Sequence, residues 1–180
     1  MNSYLVITAV GEDRSGIVDD LTRVMLDHEM NIEDSRMSIL GGEFAIILLV
    51  AGSEASAQAV LEQQTQLEQV LGLKLLIKTT RARQADGQTR PYIIQVVGMD
   101  HPGIVHNLAR FLSGHGINIE NLETDSYPAP HTGTPMFAVA MTVDIPNQLS
   151  TSKLREEFTR LCDELNLDAQ FSPVSINKQR

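Results

Sequence analysis

The 180-residue chain has one cysteine, Cys162, so no disulfide can close within it, and the composition fits a reducing compartment. It also lacks any basic run. Residues 1–90 carry 8 basic and 13 acidic side chains and residues 91–180 carry 6 and 10, so the net charge of −9 is spread over both halves. Nucleic-acid affinity depends on neutralised phosphates, so direct nucleic-acid binding is not expected. Met1-Asn2-Ser3 lead straight into an apolar run with neither a basic leader nor a small-residue cleavage site. No apolar stretch approaches the ~20 residues of a membrane span. A cytoplasmic protein without membrane association is expected. Catalytic signatures are missing as well: Ser15, Asp125 and Ser126 stand in no nucleophile elbow or paired-carboxylate context. His28, His101, His106, His115 and His131 show no zinc-ligand spacing, and Cys162 lies on an apolar helical stripe with no base near it in sequence. No cofactor, metal site or catalysis is expected.

What the chain does have is an internal duplication. Val10–Glu33 recurs as Val97–Glu120 with a constant offset of 87, pairing Gly11 with Gly98, Asp13 with Asp100, Gly16 with Gly103, Ile17 with Ile104, His28 with His115 and Asn31 with Asn118. Register holds without a gap, which divides the chain into two modules of small-domain size.

Taken in order, Tyr4–Val10 reads as a buried strand ending at Gly11. Asp13 and Ser15 offer helix-capping oxygens, and Ile17, Leu21, Val24, Met25 and His28 then fall on one helical face. Ile32–Leu40 and Phe44–Val50 flank Gly41-Gly42 as a hairpin. One helix from Ser53 to Gly72 is expected, with Val60, Leu61, Leu67, Val70 and Leu71 as its buried stripe, followed by a strand at Leu73–Thr80. The polar segment 83–90 reads as a linker between module 1–82 and module 91–180. The second module repeats the order: strand Tyr92–Val97, helix from Pro102 to about His115, strands Ile117–Asp125 and Met136–Ile145, helix from about Ser152 to Leu165, strand Leu167–Val174. Where the first hairpin has two glycines the second inserts residues 126–135, whose three prolines predict a stiff, extended excursion. The fold class is therefore α+β: two ferredoxin-like βαββαβ modules, antiparallel four-stranded sheets with helices on one face. The other face of each sheet is apolar enough to need cover, which pairing of sheets between modules or chains would give.

Both strand-to-helix turns end on a helix N-terminus, where free backbone N–H groups and the helix dipole suit a small carboxylate. Asp13, Arg14, Ser15, Gly16 and Ile17 form the first, and Asp100, His101, Pro102, Gly103 and Ile104 the second, the glycines allowing close approach. Asn31 and Asn118, opening the second strand of each module, offer amide oxygens to an ammonium group, so that the two sets converge on an amino acid. Without a ligand, the same residues read as turn glycines, aspartate helix caps and asparagines ending helices in the left-handed conformation.

The Asp-Arg-Ser-Gly-Ile-Val and Asp-His-Pro-Gly-Ile-Val stretches, each followed by Asn-Ile-Glu, resemble the ACT domain, a small-molecule-sensing module that commonly binds amino acids between paired copies. Two such modules with no further portion, together with the Ala-Pro-His-Thr-Gly-Thr-Pro segment at 129–135, resemble the glycine cleavage system transcriptional repressor family. That resemblance implies a protein, expected to be a homo-oligomer, that binds a small amino acid, glycine above all, and represses without touching DNA by engaging a LysR-type transcriptional activator. It leaves two alternatives: a ligand-independent interaction protein, or a regulatory part of an amino-acid-metabolism enzyme. Ser15 departs from the proline usual in the motif, which Pro102 retains, so the second copy is the better match.

Overall fold

The computed structural model describes residues 3–82 and 87–174. The chain divides into two compact units, Met1–Gln84 and Ala85–Arg180. In the first, β1 (Ser3–Glu12), α1 (Ile17–Asp27), β2 (Asn31–Leu40), β3 (Glu43–Gly52), α2 (Glu54–Glu62), α3 (Gln64–Leu71) and β4 (Lys74–Thr80) follow one another. The second holds β5 (Thr89–Met99), α4 (Ile104–Gly114), β6 (Asn118–Pro128), β7 (Pro135–Pro146), α5 (Thr151–Glu164) and β8 (Leu167–Pro173). The sheets run β2-β3-β1-β4 and β6-β7-β5-β8, every neighbouring pair antiparallel. Of the expected linker, residues 83–86 lie outside the described residues, and Thr89 and Arg90 already belong to β5.

Strand alternation supplies the core. Leu5, Ile7 and Ala9 of β1 and Phe44, Ile46, Leu48 and Val50 of β3 turn to the helices, where Ile17, Leu21 and Met25 recur every fourth residue along α1. The second unit repeats this with Ile94 and Val96, Leu108 and Leu112, Val139, Met141 and Val143, and Leu154, Phe158 and Cys162. Phe111 and Phe171 stack on Phe158 at ring separations of 5.4 and 6.0 Å, adding directional aromatic contacts to the area buried. Among the described residues no buried side chain is polar or charged, so each core is held by apolar burial alone.

Several details differ from the sequence expectation. The helix after β3 breaks at Gln63, which caps both α2 and α3. Val70, expected on the buried stripe, is 70% exposed; it sits about 60° round the helix from Leu67, on the side away from Leu71. Asp13 and Asp100 cap no helix: the N-caps are Gly16 and Gly103, at φ 87° and 95°, with no side-chain cap hydrogen bond. Asn31 and Asn118 do not end helices either; the left-handed residues after α1 and α4 are Glu29 (φ 54°) and Gly116 (φ 67°). The 126–135 excursion is instead a longer hairpin. Ser126, Tyr127 and Pro128 pair with Phe137, Met136 and Pro135, and hydrogen bonds from Ala129 N to Thr134 O (2.8 Å) and Gly133 N to Ala129 O (2.9 Å) close the loop. Pro128 and Pro135 are tolerated because they stand at the last rung, where the ladder no longer needs their N–H groups.

A left-handed glutamate costs about 1–2 kcal/mol that glycine avoids. Glu29→Gly should therefore raise unfolding stability by about 1 kcal/mol in urea titration, and Gly116→Ala should lower it by a similar amount. Unchanged midpoints in both variants would show that the two positions carry no strain.

Candidate functional site

Each module's site begins with a close contact. A Cβ on Gly98 would lie 2.5 Å from Leu167 Cδ2 and 3.0 Å from Asn166 O, and one on Gly11 would lie 2.8 Å from Leu73 Cδ2 and 3.2 Å from Gly72 O. Glycine at the end of β1 and β5 thus lets that strand close onto the chain leaving the module's last helix. Gly72 and Asn166 occupy matching places there, both left-handed, at φ 68° and 54°.

The turn that follows is fastened to the same helix end. Arg14 Nη2 donates to Leu71 O at 3.2 Å, and His101 Nε2 lies 3.3 Å from Leu165 O. Arg14 also pairs with Asp20 at 2.7 Å. The hairpin holds the turn from its other side: Asp13 N donates to Gly42 O (3.0 Å), Asp100 N to Pro135 O (2.9 Å), and Ser126 Oγ to Asp100 Oδ2 (3.3 Å). Ile17 and Ile104 anchor the helix starts in the core at 4% and 2% exposure, while Ser15 and Pro102 stay on the surface. Nothing lies within 4 Å of a Cβ placed on Gly16, so that glycine is required by its positive φ rather than by crowding.

This arrangement sets two helix ends of opposite polarity against each other. The start of α4, with its free N–H groups, stands beside the last carbonyls of α5, and α1 stands likewise beside α3. In the second module a depression of about 200 Å³ opens here, lined by Met99, His101, Glu164, Leu165 and Asn166. Glu164 and Asn166 were not picked out by sequence reasoning. The signal was the match of Gly72 with Asn166, hidden because the offset between copies has grown from 87 to 94 (166 − 72) by that point.

The asparagines are not brought to the turns. Asn31 pairs with Ala51 and hence lies level with Tyr4, seven residues from Gly11, a distance of about 23 Å along a strand. Asn118 has the same place in its own sheet. The crossover helix returns the chain to the end at which the first strand started, so the second strand begins at the far end of the sheet. Each asparagine serves a β-bulge there: Asn31 Nδ2 donates to Glu33 Oε1 (3.0 Å) and Asn118 Nδ2 to Glu120 Oε1 (2.7 Å), where the ladder shifts register. Asn118 also borders a groove of about 530 Å³ with His106, Arg110 and Ser113.

Two of the histidines have structural partners. His28 Nδ1 lies 2.8 Å from Val24 O and its Nε2 3.3 Å from Gln63 Oε1; His115 repeats this with Phe111 O (2.9 Å) and Glu157 Oε2 (3.1 Å). These rings tie one helix end to the neighbouring helix. Among the described residues no group of three or more His, Cys, Asp or Glu side chains is placed to hold a metal ion, and no helix is long and apolar enough to cross a membrane.

Two copies of a βαββαβ module, each with its strand-to-helix turn fastened to a helix C-terminus, define a tandem α+β protein. The ACT domain pattern matches residues 3–78 and again 90–172. Over 176 residues the chain is 32% identical to the glycine cleavage system transcriptional repressor of Escherichia coli (strain K12), covering 97% of this chain and 92% of that protein. A crystal structure described as that of a "putative glycine cleavage system transcriptional repressor" superposes with TM-score 0.74 at 25% identity, covering 97% of this chain and 98% of its own. A protein from Galdieria sulphuraria, described as unknown, superposes with TM-score 0.80 at 30% identity over 97% of this chain and 99% of its own. The chain belongs to the ACT-domain family and, within it, to the glycine cleavage system transcriptional repressor family.

Burial pushes the Cys162 thiol up from its ordinary 9.0 to about 11, with the neighbouring Asp163 charge adding to the effect. The folded pKa lies above the unfolded one, so the stability this thiol contributes is complete below the unfolded value and is lost as pH rises towards the folded value. A thiol reagent at about pH 8 should leave the folded chain untouched and label one site once urea unfolds it. Rapid labelling of the folded chain would contradict a buried, neutral thiol.

Proposed function

We propose that the chain is a cytoplasmic amino-acid-responsive regulator that binds glycine at its strand-to-helix turns and represses through contact with a LysR-type transcriptional activator, without itself touching nucleic acid. The observation that carries this reading is the small depression lined by His101 of the turn into α4 and by Glu164, Leu165 and Asn166 at the end of α5. A zwitterion carries its two charges only a few ångströms apart. Its carboxylate suits the N-terminal amides of α4 at Gly103 and Ile104, flanked by Asp100, His101 and Pro102. Its ammonium suits the carbonyl end of α5 and the carboxylate of Glu164, which lines the depression. A depression of about 200 Å³ admits an amino acid with little side chain and leaves scant room for a large one. In the first module Asp13, Arg14, Ser15, Gly16 and Ile17 hold the corresponding place. Arg14 there is already paired with Asp20, which supports a weaker or differently selective first site.

Asn31 and Asn118 lie at the far end of the sheet from their own turns, so each joins a turn-bound ligand only when it belongs to another module, of the same chain or of a second copy. A homo-oligomer is one way to supply it. The acidic charge of −9 supports action through a protein partner rather than DNA. The β6–β7 hairpin tip at 129–134, which the first hairpin lacks, is the segment that distinguishes the modules at the same end as the turn, and we assign it to partner contact.

The reading predicts that, in a thermal-shift panel of free amino acids at millimolar concentration, glycine raises Tm and bulky amino acids do not. Glu164→Gln should weaken glycine binding about tenfold or more, from loss of a charge-assisted contact. A flat panel sinks the reading. Replacing residues 128–135 by the Gly-Gly of the first hairpin should abolish capture of the purified activator while leaving the glycine shift intact; capture that survives the replacement removes the hairpin from the partner surface.

A further inference from the structure

The duplication gives every residue of α4 a counterpart in α1, and along one face the two helices differ in a single direction. Asp19 and Asp20 stand in the first turn of α1; His106 and Asn107 take their places in α4. The 11 residues of α4 thus carry no carboxylate in a chain that has 23. On α1 the guanidinium of Arg23 is neutralised one turn away by Asp19, Nη2 to Oδ2 at 3.1 Å. Arg110 holds the same place on α4 with His106 where that aspartate was, and among the described residues its guanidinium has no hydrogen-bond or ion-pair partner. Bulk falls along with negative charge. Thr22 and Leu26, the latter 75% exposed, become Ala109 and Ser113. Both small residues line the groove of about 530 Å³ that runs between α4 and the first residues of β6.

We propose that this groove is a binding site for a small phosphate monoester. His106 and Arg110 stand one turn apart, about 6 Å along the helix axis, so both side chains reach a single compact anion. A guanidinium offers two parallel N–H donors to phosphate oxygens and an imidazole adds a third, which suits a dianion better than the single charge of a carboxylate. The other polar side chains of the groove are occupied: Ser113 Oγ donates to Arg110 O at 3.1 Å and Asn118 Nδ2 to Glu120 Oε1 at 2.7 Å. Serine serves there by being small and leaves the anion to Arg110 and His106. The acidic groups nearby on the strands are directed elsewhere. Glu120 is held by Asn118, and Asp144, across the ladder from Asn118, alternates with the buried Val143 and Ile145 and so stands on the helix-free face. Ala109, Ile117 and Ile119 give the groove an apolar lining, which suits the organic body of an ester rather than inorganic phosphate alone. Its volume falls in the range of small-molecule sites, roughly 300–1,000 Å³. The inference draws only on this face of α4 and needs no ligand at the turns.

The test is a nuclear magnetic resonance titration of the nitrogen-15-labelled whole chain with phenyl phosphate at about 0.05 M salt, where screening is weak. Saturable shifts of the backbone amides from His106 to Ser113 are expected, with a dissociation constant of about 1 mM or below. Inorganic phosphate and benzoate, which each lack one part of the ester, should bind about tenfold more weakly. Arg110→Gln should weaken phenyl phosphate about tenfold or more by removing the charge-assisted contact. His106→Asp should do the same by giving Arg110 the partner that Arg23 has, and Ser113→Leu should block the groove with both donors intact. Absence of a saturable shift at about 10 mM phenyl phosphate, undiminished binding in Arg110→Gln and His106→Asp, or benzoate binding as tightly as phenyl phosphate would each overturn the proposal. All three side chains are exposed, so the variants keep the core, and an unchanged amide pattern away from α4 verifies it. Should a variant misfold, the ranking of the three anions on the wild type decides.

Discussion

The site depends on a contact that tolerates no side chain. Where β5 ends, the backbone of Gly98 lies so close to Leu167 and to the carbonyl of Asn166 that even a methyl group would overlap them. Gly11 repeats the contact against Leu73 and Gly72. That proximity places the turn into α4 beside the end of α5, close enough for His101 to reach Leu165 O, as Arg14 reaches Leu71 O. His101 of that turn and Glu164, Leu165 and Asn166 at the helix end then border one small depression, and the partial charges of the two helix ends are opposite in sign. A bulkier residue at either strand end would force the last strand outward and separate those two poles.

The duplication has kept this device in both modules and let nearly everything around it drift. Residue 14 became a guanidinium and residue 101 an imidazole, yet each still fastens its turn to a helix carbonyl. The histidines at 28 and 115 keep the same backbone bond and have exchanged their distal partner, an amide for a carboxylate. The hairpin lengthened in one copy only, and the sheet faces away from the helices diverged in charge and bulk. Groups that close the core or position the turn had to satisfy fixed geometry in both copies. The outer faces had no such geometry to satisfy, and there the copies diverged, as Arg36 against Glu123 and Lys74 against Asp168 show.

Much of this was legible in the residues. Strand alternation, the four-residue spacing of Ile17, Leu21 and Met25, and the Gly41-Gly42 turn each report a local periodicity, and local periodicities assemble into the βαββαβ order with little ambiguity. The misreadings have separate causes. Asn31 and Asn118 sit next in sequence to the helix leaving the turn, and only the antiparallel pairing through Ala51 and Asp144 shows that the helix has carried them the full length of the sheet. Asp13 and Asp100 have the chemistry of helix caps, but the left-handed glycines three residues later turn the chain so that no side chain is needed there. Glu164 and Asn166 escaped notice because insertions between the copies had shifted the offset.

The amino-acid sequence by itself determined the number of modules, their element order, the buried faces and the turns worth attention, because each of these follows from spacing along one chain. The tertiary structure decided which of those residues share a place. It separated the asparagines from the turns, joined the turns to the ends of α3 and α5, and set opposite charges at matching rungs of the two sheets. Those are distances between segments tens of residues apart. They are fixed by strand pairing and by the close approach that only glycine permits, and no periodicity within a segment carries them.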